Sequence, residues 1–437
     1  MNATVDPKHS ESRLSETAPT LRFLRELFPH SATTNVGFKL WDGTRWPDLE
    51  ERAATIVLNH AGAVQEMFGL GTEKGLAEAF IADHFDIEGS VEAACELADA
   101  LEDGGEGDWW LTAKRLFHLR RASVAAHPRT WTRQGTFASR RHSRARDRRA
   151  IAFHYDISND FFGLWLDLRM QYSCAYFEDG ARSLEMAQTA KLHYICRKLR
   201  LRPGMRLLDI GCGWGGLAIH AAREYGVQVI GVTLSEAQAE LASQRVAHAG
   251  LSSQVQIRLA DYRDLDPREP FDAITSIGMA EHLGAENLTG YFAKTFEILN
   301  PGGTFLNHAI GEGVRASATR GRTFMQDYVF PDTDLQRIPA VLSAAEAAGF
   351  EIRDVENLRE HYALTLRHWV HRLEETHDAA LKFVDEATYR IWRLYLAGSA
   401  HGFERGRLAI YQTLLSKADA LGDAHLPLAR RDWYDER

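Results

Sequence analysis

Four glycines crowd the run Arg206 to Gly216 (RLLDIGCGWGG): Gly211, Gly213, Gly215 and Gly216 follow a short apolar stretch, Leu207 and Leu208, that Asp209 closes. Glycine reaches backbone conformations that side chains forbid, so this spacing predicts a strand, a tight turn and a helix whose start approaches a ligand closely. Such a turn suits a nucleotide-type ligand, although a plain tight turn or a dinucleotide site uses the same glycines. The later strands discriminate. A second strand, Val227 to Val232, lacks the acid that holds a ribose in a dinucleotide site and runs instead into Thr233, Ser235, Glu236 and Gln238. Hydroxyls and the Gln238 amide can grip a ribose in its place. A third, Gln254 to Leu259, leads to Asp261 and Tyr262, an acid and an aromatic placed to meet an adenine. A fourth, Phe271 to Ile277, and a fifth, Thr304 to His308 after the turn Asn300 to Gly303, complete an alternating α/β pattern. Asp209 at the first strand end, hydroxyls at the second and Asp261 after the third suit S-adenosylmethionine better than a nicotinamide.

Those strands need a larger frame. A chain of 437 residues exceeds one comfortable core, so two domains are expected. The polar start (MNATVDPKHSESRLSETAP) lacks the apolar core of a signal peptide, and no apolar run is long enough to span a bilayer. A cytoplasmic protein follows as the expectation. Cys95, Cys174, Cys196 and Cys212 have neither metal-type nor disulfide-framework spacing, so no metal is expected. The net charge of -9 hides a basic stretch, residues 111–150, with twelve Lys or Arg against one acid, Asp147. A solvated linker is the plainer reading of that stretch; anionic lipid headgroups at the inner face of a membrane are the expected partner, rather than nucleic acid. Its part Arg140 to Arg149 shows no apolar periodicity and predicts no helix.

The organisation expected is disorder over 1–18, a smaller, mainly helical amino-terminal domain over 19–110 for lipid binding or assembly, the linker, and a catalytic domain over 151–437. Within the first domain, a hairpin is expected at Asp42 and Gly43, then helices from Asp48 to Leu101. The aromatic run His154 to Phe177 reads equally as core or as an apolar lid. Helices around Leu364 to Glu375 and Tyr389 to His401 are expected to shape a substrate pocket.

Several ordered motifs resemble the cyclopropane fatty acyl phospholipid synthase and mycolic acid cyclopropane synthase family. They are HYDISNDFF from His154, MQYSCAYF from Met170, LLDIGCGWGG from Leu207, GVTLSEAQ from Gly231, DYRDL from Asp261, GMAEHLG from Gly278, HAIG from His308, HYALTLRHW from His361 and FERGRLAIYQTLL from Phe403. The resemblance covers residues 151–420 and implies a Rossmann-like class I methyltransferase sheet, with extra helices forming a lipid pocket. It implies S-adenosylmethionine as methyl donor, an unsaturated phospholipid as substrate, peripheral membrane contact, and bicarbonate as the base. The bicarbonate cage it implies is Cys174, Glu281, His308, the backbone of Ile310, and Tyr362; its cofactor contacts are Tyr172, Ser173, Gly211, Gly213, Thr233, Gln238 and Ile277. A homodimer is compatible with this reading but has no direct sequence signal. Ala280 stands where many relatives have an aromatic, and Tyr328 to Pro339 places Asp332, Thr333 and Gln336 where relatives often have a glycine-rich turn. Those departures keep methyl or methylene branching open as an alternative product; a noncatalytic lipid-binding module and a methyltransferase for a soluble small molecule are the remaining readings.

Overall fold

The computed structural model describes residues 7–28, 35–47, 52–69, 72–103, 142–155, 157–178, 183–316 and 322–434. The chain forms two compact units: Met1–Gln134 with Gly321–Val329 and Asp385–His401, and Gly135–Arg320 with Phe330–Val384 and Gly402–Arg437. A single catalytic block over 151–437 is therefore corrected, because two later segments pack with the amino-terminal residues.

In the first unit, a four-stranded sheet has the order β2-β1-β3-β4, formed by β1 (Val36–Lys39), β2 (Arg45–Trp46), β3 (Ala54–Leu58) and β4 (Phe85–Gly89). The hairpin at Asp42 and Gly43 is present, with Thr44 N–H donating to Asp42 Oδ1 at 2.9 Å and Gly43 at φ 91°. Strands β3 and β4 correct the expectation of helices alone between Asp48 and Leu101; Ala54, Ile56 and Leu58 alternate inward in the two-residue period of a half-buried strand. Helix Glu73–Ile81 begins at Thr72, whose Oγ1 accepts from Gly75 N–H. The expected disorder through residue 18 is also corrected, since a helix spans Pro7–Leu27. Pro7 opens the first turn, where proline is tolerated, and Pro19 lies inside the helix; Thr17, Thr20, Phe23 and Leu24 recur at helical spacing as buried residues. Polar bonds tie the late segments into this unit. Tyr328 Oη donates to Glu78 Oε1 at 2.8 Å, and Arg390 donates to the Phe80 and Phe85 carbonyls and to Asp83. Tyr389 to His401 thus packs in this unit.

The second unit is built on seven strands in the order β10-β11-β9-β8-β5-β6-β7. They are β5 (Arg206–Ile210), β6 (Gln228–Thr233), β7 (Val255–Leu259), β8 (Phe271–Ile277), β9 (Leu299–Glu312), β10 (Glu351–Asn357) and β11 (Leu408–Ser416). The strands β5 to β9 pair in parallel, whereas β11 runs antiparallel to both β9 and β10. Helices cover both faces, so successive residues of β5 enter opposite cores: Leu207 packs with Ala218 and Ala221, Leu208 with Phe292 and Phe305. The chain leaves β5 toward β6 on one side and later returns to β8 on the other. In an open α/β sheet, ligands bind at the carboxyl ends of the strands where the order reverses in this way.

Helix Arg144–Tyr155 replaces the extended basic segment expected up to residue 150. The sequence hid it because its anchors are ionic rather than apolar. Arg146 Nε and Nη2 donate to the two carboxylate oxygens of Asp332, each at 2.7 Å, and Asp147 accepts from Arg263 at 3.0 Å. Arg144 meets Asp264 at 2.6 Å. Arg146 is thereby unavailable to lipid headgroups; the rest of the basic stretch, 111–141, lies outside the described residues.

Candidate active site

The turn after β5 has the conformation its glycines permit: Gly211, Gly213 and Gly215 have φ of 76°, 53° and 77°, and a helix follows over Gly216–Tyr225. A Cβ on Gly216 would overlap the Gln171 side-chain amide and press on the Arg169 carbonyl. The glycine there lets the helix start dock against the segment Arg169 to Ser173.

That turn is the floor of a cleft enclosing about 1130 Å³, part of it open to solvent. All ten sequence-predicted cofactor residues line it: Tyr172, Ser173, Asp209, Gly211, Gly213, Thr233, Gln238, Asp261, Tyr262 and Ile277. Their polar groups hold one another. Asp209 Oδ1 accepts from Thr275 Oγ1 at 2.9 Å; burial pushes its carboxyl up to about 6. Thr233 Oγ1 donates to Gln238 Oε1 at 2.8 Å, which leaves the Gln238 –NH2 to donate into the cleft. Asp261 accepts from Arg263 Nε and Nη2 at 2.9 and 2.6 Å; burial pushes its carboxyl upward, and these bonds more than reverse the effect. Sequence reasoning missed further lining residues, Asp147 and Ile151 from helix Arg144–Tyr155, and Trp214, Arg263, Met279 and His282; Tyr155, at the end of that helix, belongs to the aromatic run. Trp214 lies within the quoted glycine run and DYRDL contains Arg263, but the helix gave no sequence signal.

The aromatic run serves both expected purposes. Phe161, Phe162 and Trp165 are fully buried, while Tyr155 and Tyr172 face the cleft. Tyr172 packs on Trp369 with ring centres 5.2 Å apart, and Trp369 packs edge-on to Tyr362 at 5.9 Å. Aromatic surface therefore runs from the cofactor wall to Tyr362.

The expected base residues are joined through the backbone. Glu281 Oε1 accepts from Ile310 N–H at 3.0 Å, and Gly278 N–H, three residues before Glu281, donates to the His308 carbonyl at 2.9 Å. Ile310 lies opposite Ile410 on β11; Leu358 N–H donates to the Ile410 carbonyl at 2.9 Å. The Leu358 carbonyl in turn lies 3.8 Å from Cys174 Sγ and accepts from Tyr362 N–H at 3.0 Å. Two details differ from the expectation: the Ile310 N–H is committed to Glu281, and the Cys174 thiol points at the Ala175 carbonyl, 3.2 Å away. Glu281 makes no hydrogen bond to His308. Instead Glu281 Oε2 and both His308 ring nitrogens are buried without a hydrogen-bond partner. Burial pushes the Glu281 carboxyl up to about 7, drives the His308 imidazole far down toward neutrality, and raises the Cys174 thiol.

The seven-stranded sheet and the glycine-turn cleft define a class I S-adenosylmethionine-dependent methyltransferase. The chain belongs to the mycolic acid cyclopropane synthetase family, whose model matches residues 142–413. It is 39% identical to a probable fatty acid methyltransferase of Pseudomonas putida over 91% of this chain and 95% of that protein. It is 40% identical to the cyclopropane-fatty-acyl-phospholipid synthase of Escherichia coli over 60% of this chain and 66% of that protein. Among solved structures, mycolic acid cyclopropane synthase CmaA1 complexed with SAH and CTAB superposes with a TM-score of 0.58 at 36% identity, covering 61% of this chain and 97% of that one. Among the described residues, no helix is long and apolar enough to cross a membrane.

Proposed function

We propose that this methyltransferase acts on a cis double bond in an unsaturated phospholipid acyl chain and closes a cyclopropane. The observation that carries the reading is the partnerless Glu281 Oε2 and His308 imidazole, buried a few residues from the cleft-lining Ile277 and Met279. In the reaction, the alkene π electrons form a C–C bond to the sulfonium methyl as its C–S bond breaks and S-adenosylhomocysteine departs. A positive carbon remains. Loss of a proton from the former methyl leaves the electron pair of that C–H bond to close the ring.

The donors and acceptor left open at His308 and Glu281 fit a small oxyanion. Bicarbonate held there by His308 and Glu281 would supply the base. Glu281, poised near neutral pH, is able to hold the departing proton on Oε2, while His308 stays uncharged and adds no repulsion beside a cation. Burial keeps Cys174 protonated, so no thiolate competes with the alkene for the methyl group. The rings of Tyr172, Trp369 and Tyr362 exclude water from the positive carbon and offer it π faces. A phospholipid substrate requires peripheral contact with a bilayer, testable as salt-sensitive vesicle binding.

Production of the chain in a host rich in monounsaturated phospholipids tests the reading. The expected product is an acyl chain heavier by one methylene that resists mild hydrogenation; an unchanged lipid with cofactor and bicarbonate supplied overturns it. A second reading, methyl or methylene branching, is favoured by the small, buried Ala280 beside Glu281 and by relatives named fatty acid methyltransferases. Gas chromatography of the product separates a ring from a branch.

A further inference from the structure

Helix Leu184–Lys198 buries two lysines two turns apart, and only one meets carboxylates directly. Lys198 Nζ lies 3.2 Å from Asp354 and 2.5 Å from Glu356. Lys191 is equally inaccessible, yet its Nζ donates to two neutral oxygens, Gln171 Oε1 at 2.9 Å and Ser173 Oγ at 2.8 Å. Among the described residues it makes no ion pair. The acids that act on it through space are committed elsewhere: Asp209 to Thr275, and Asp167 to the N–H groups of Arg169 and Gln171. A buried ammonium without a direct counter-charge is among the costliest arrangements a fold can hold.

Its surroundings show what the cost serves. Gln171 and Ser173 both line the cofactor cleft, and Cys174 follows them directly. Gln188, one turn before Lys191, donates to the carbonyls of Ser173 and Gln171 at 2.9 and 3.3 Å. Gly216 presses on Gln171 from the other side, so the segment is pinned between two helices. We propose that Lys191 is the counter-charge for a carboxylate-type anion, bound in this cleft or at the neighbouring His308 and Glu281, acting as a positioning residue through Ser173 and Gln171. Two anions share that chemistry, the α-carboxylate of the cofactor and free bicarbonate. The proposal rests on the cofactor reading of the cleft.

Lys191→Met keeps the volume of the stem and removes the charge, whereas Lys191→Arg keeps the charge. Calorimetry with S-adenosylhomocysteine, which carries the carboxylate, and 5′-methylthioadenosine, which lacks it, is combined with the bicarbonate concentration giving half-maximal turnover. Lys191→Met is expected to weaken S-adenosylhomocysteine ~10–100-fold and leave methylthioadenosine unchanged. Unchanged S-adenosylhomocysteine with half-saturating bicarbonate raised by a similar factor, and kcat preserved at saturation, supports the same counter-charge with the free anion as its ligand. Lys191→Arg restores part of either loss. A thermal midpoint at or above that of the parent excludes misfolding, because an apolar replacement of a lone buried charge relieves its cost. Equal weakening of both nucleosides, or no change in any of the three measurements, overturns the proposal. A parent protein that binds neither nucleoside overturns the cofactor reading instead.

Discussion

The cofactor cleft and the proposed base site at Glu281 and His308 occupy neighbouring strand ends yet treat their polar groups in opposite ways. In the cleft, Asp209, Thr233 and Asp261 are each held by a neighbouring side chain. At the base site, Glu281 Oε2 and both nitrogens of His308 are buried and unpartnered. Each such group costs about 1–3 kcal/mol when it goes unsatisfied, so folding alone does not explain retaining three together. On the proposed function, the contrast separates two tasks. A recurring ligand is held by a shape braced in advance, whereas proton removal needs atoms whose bonding is free to change during the reaction.

The largest expected effect attacks that contrast directly. Glu281→Gln is expected to lower turnover by ~10²–10⁴-fold while S-adenosylhomocysteine affinity, read by calorimetry, stays at the parent value. A matching loss of affinity would merge the two sites into one. Next comes pH. Burial holds the Glu281 carboxyl near 7, above its unfolded value, so its contribution to stability is full below the unfolded pKa and is lost as pH rises through 7. Chemical denaturation at a series of pH values should show this loss, on the order of 3 kcal/mol, and Glu281→Gln should flatten it. Turnover should move the opposite way, rising through the same pH as the carboxyl ionises. On the cleft side, Gly216→Ala forces a methyl into Gln171 and is expected to destabilise by about 1–3 kcal/mol and weaken cofactor binding. Unaltered binding would show that the braced segment does not shape the cleft. Arg146→Ala, which removes both of its bonds to the buried Asp332 and so loosens the cleft-lining helix, should also weaken cofactor binding, whereas Arg148→Ala on the exposed face should change neither binding nor thermal midpoint.

Legibility in the sequence followed the distance over which each feature is determined. The glycine turn and strands β5 to β8 are local patterns, and eight of the ten cleft residues sit at or just after their ends; Tyr172 and Ser173 come from the segment before them and were expected only through the resemblance. Strand β9 is longer than expected, Leu299–Glu312, because pairing with β11 carries it past His308. Strand β10 carries no usual apolar-in alternation, because it turns Asp354 inward and Val355 outward, and it pairs only with the distant β11. Helix Arg144–Tyr155 was illegible for the same reason, since its register depends on Asp264, Arg263 and Asp332, more than a hundred residues away. Asp332, noted only as a departure from relatives, turns out to be the partner that fixes this helix against the cleft. The proposed cage residues rest on family resemblance alone; nothing in their spacing announces that Ile310 N–H is spent on Glu281.

The interleaving of the chain between its two units has a topological consequence. A break anywhere between residues 104 and 141 severs the backbone link from the amino-terminal sheet to the catalytic sheet. It does not free the first unit. Arg390, carried by the segment that returns from the catalytic sequence, still clasps the Phe80 and Phe85 carbonyls, and His401 still meets Asp99 at 2.8 Å. The halves of a nicked chain should therefore travel together through a sizing column and part only in denaturant, because the fold is sewn with more than one thread.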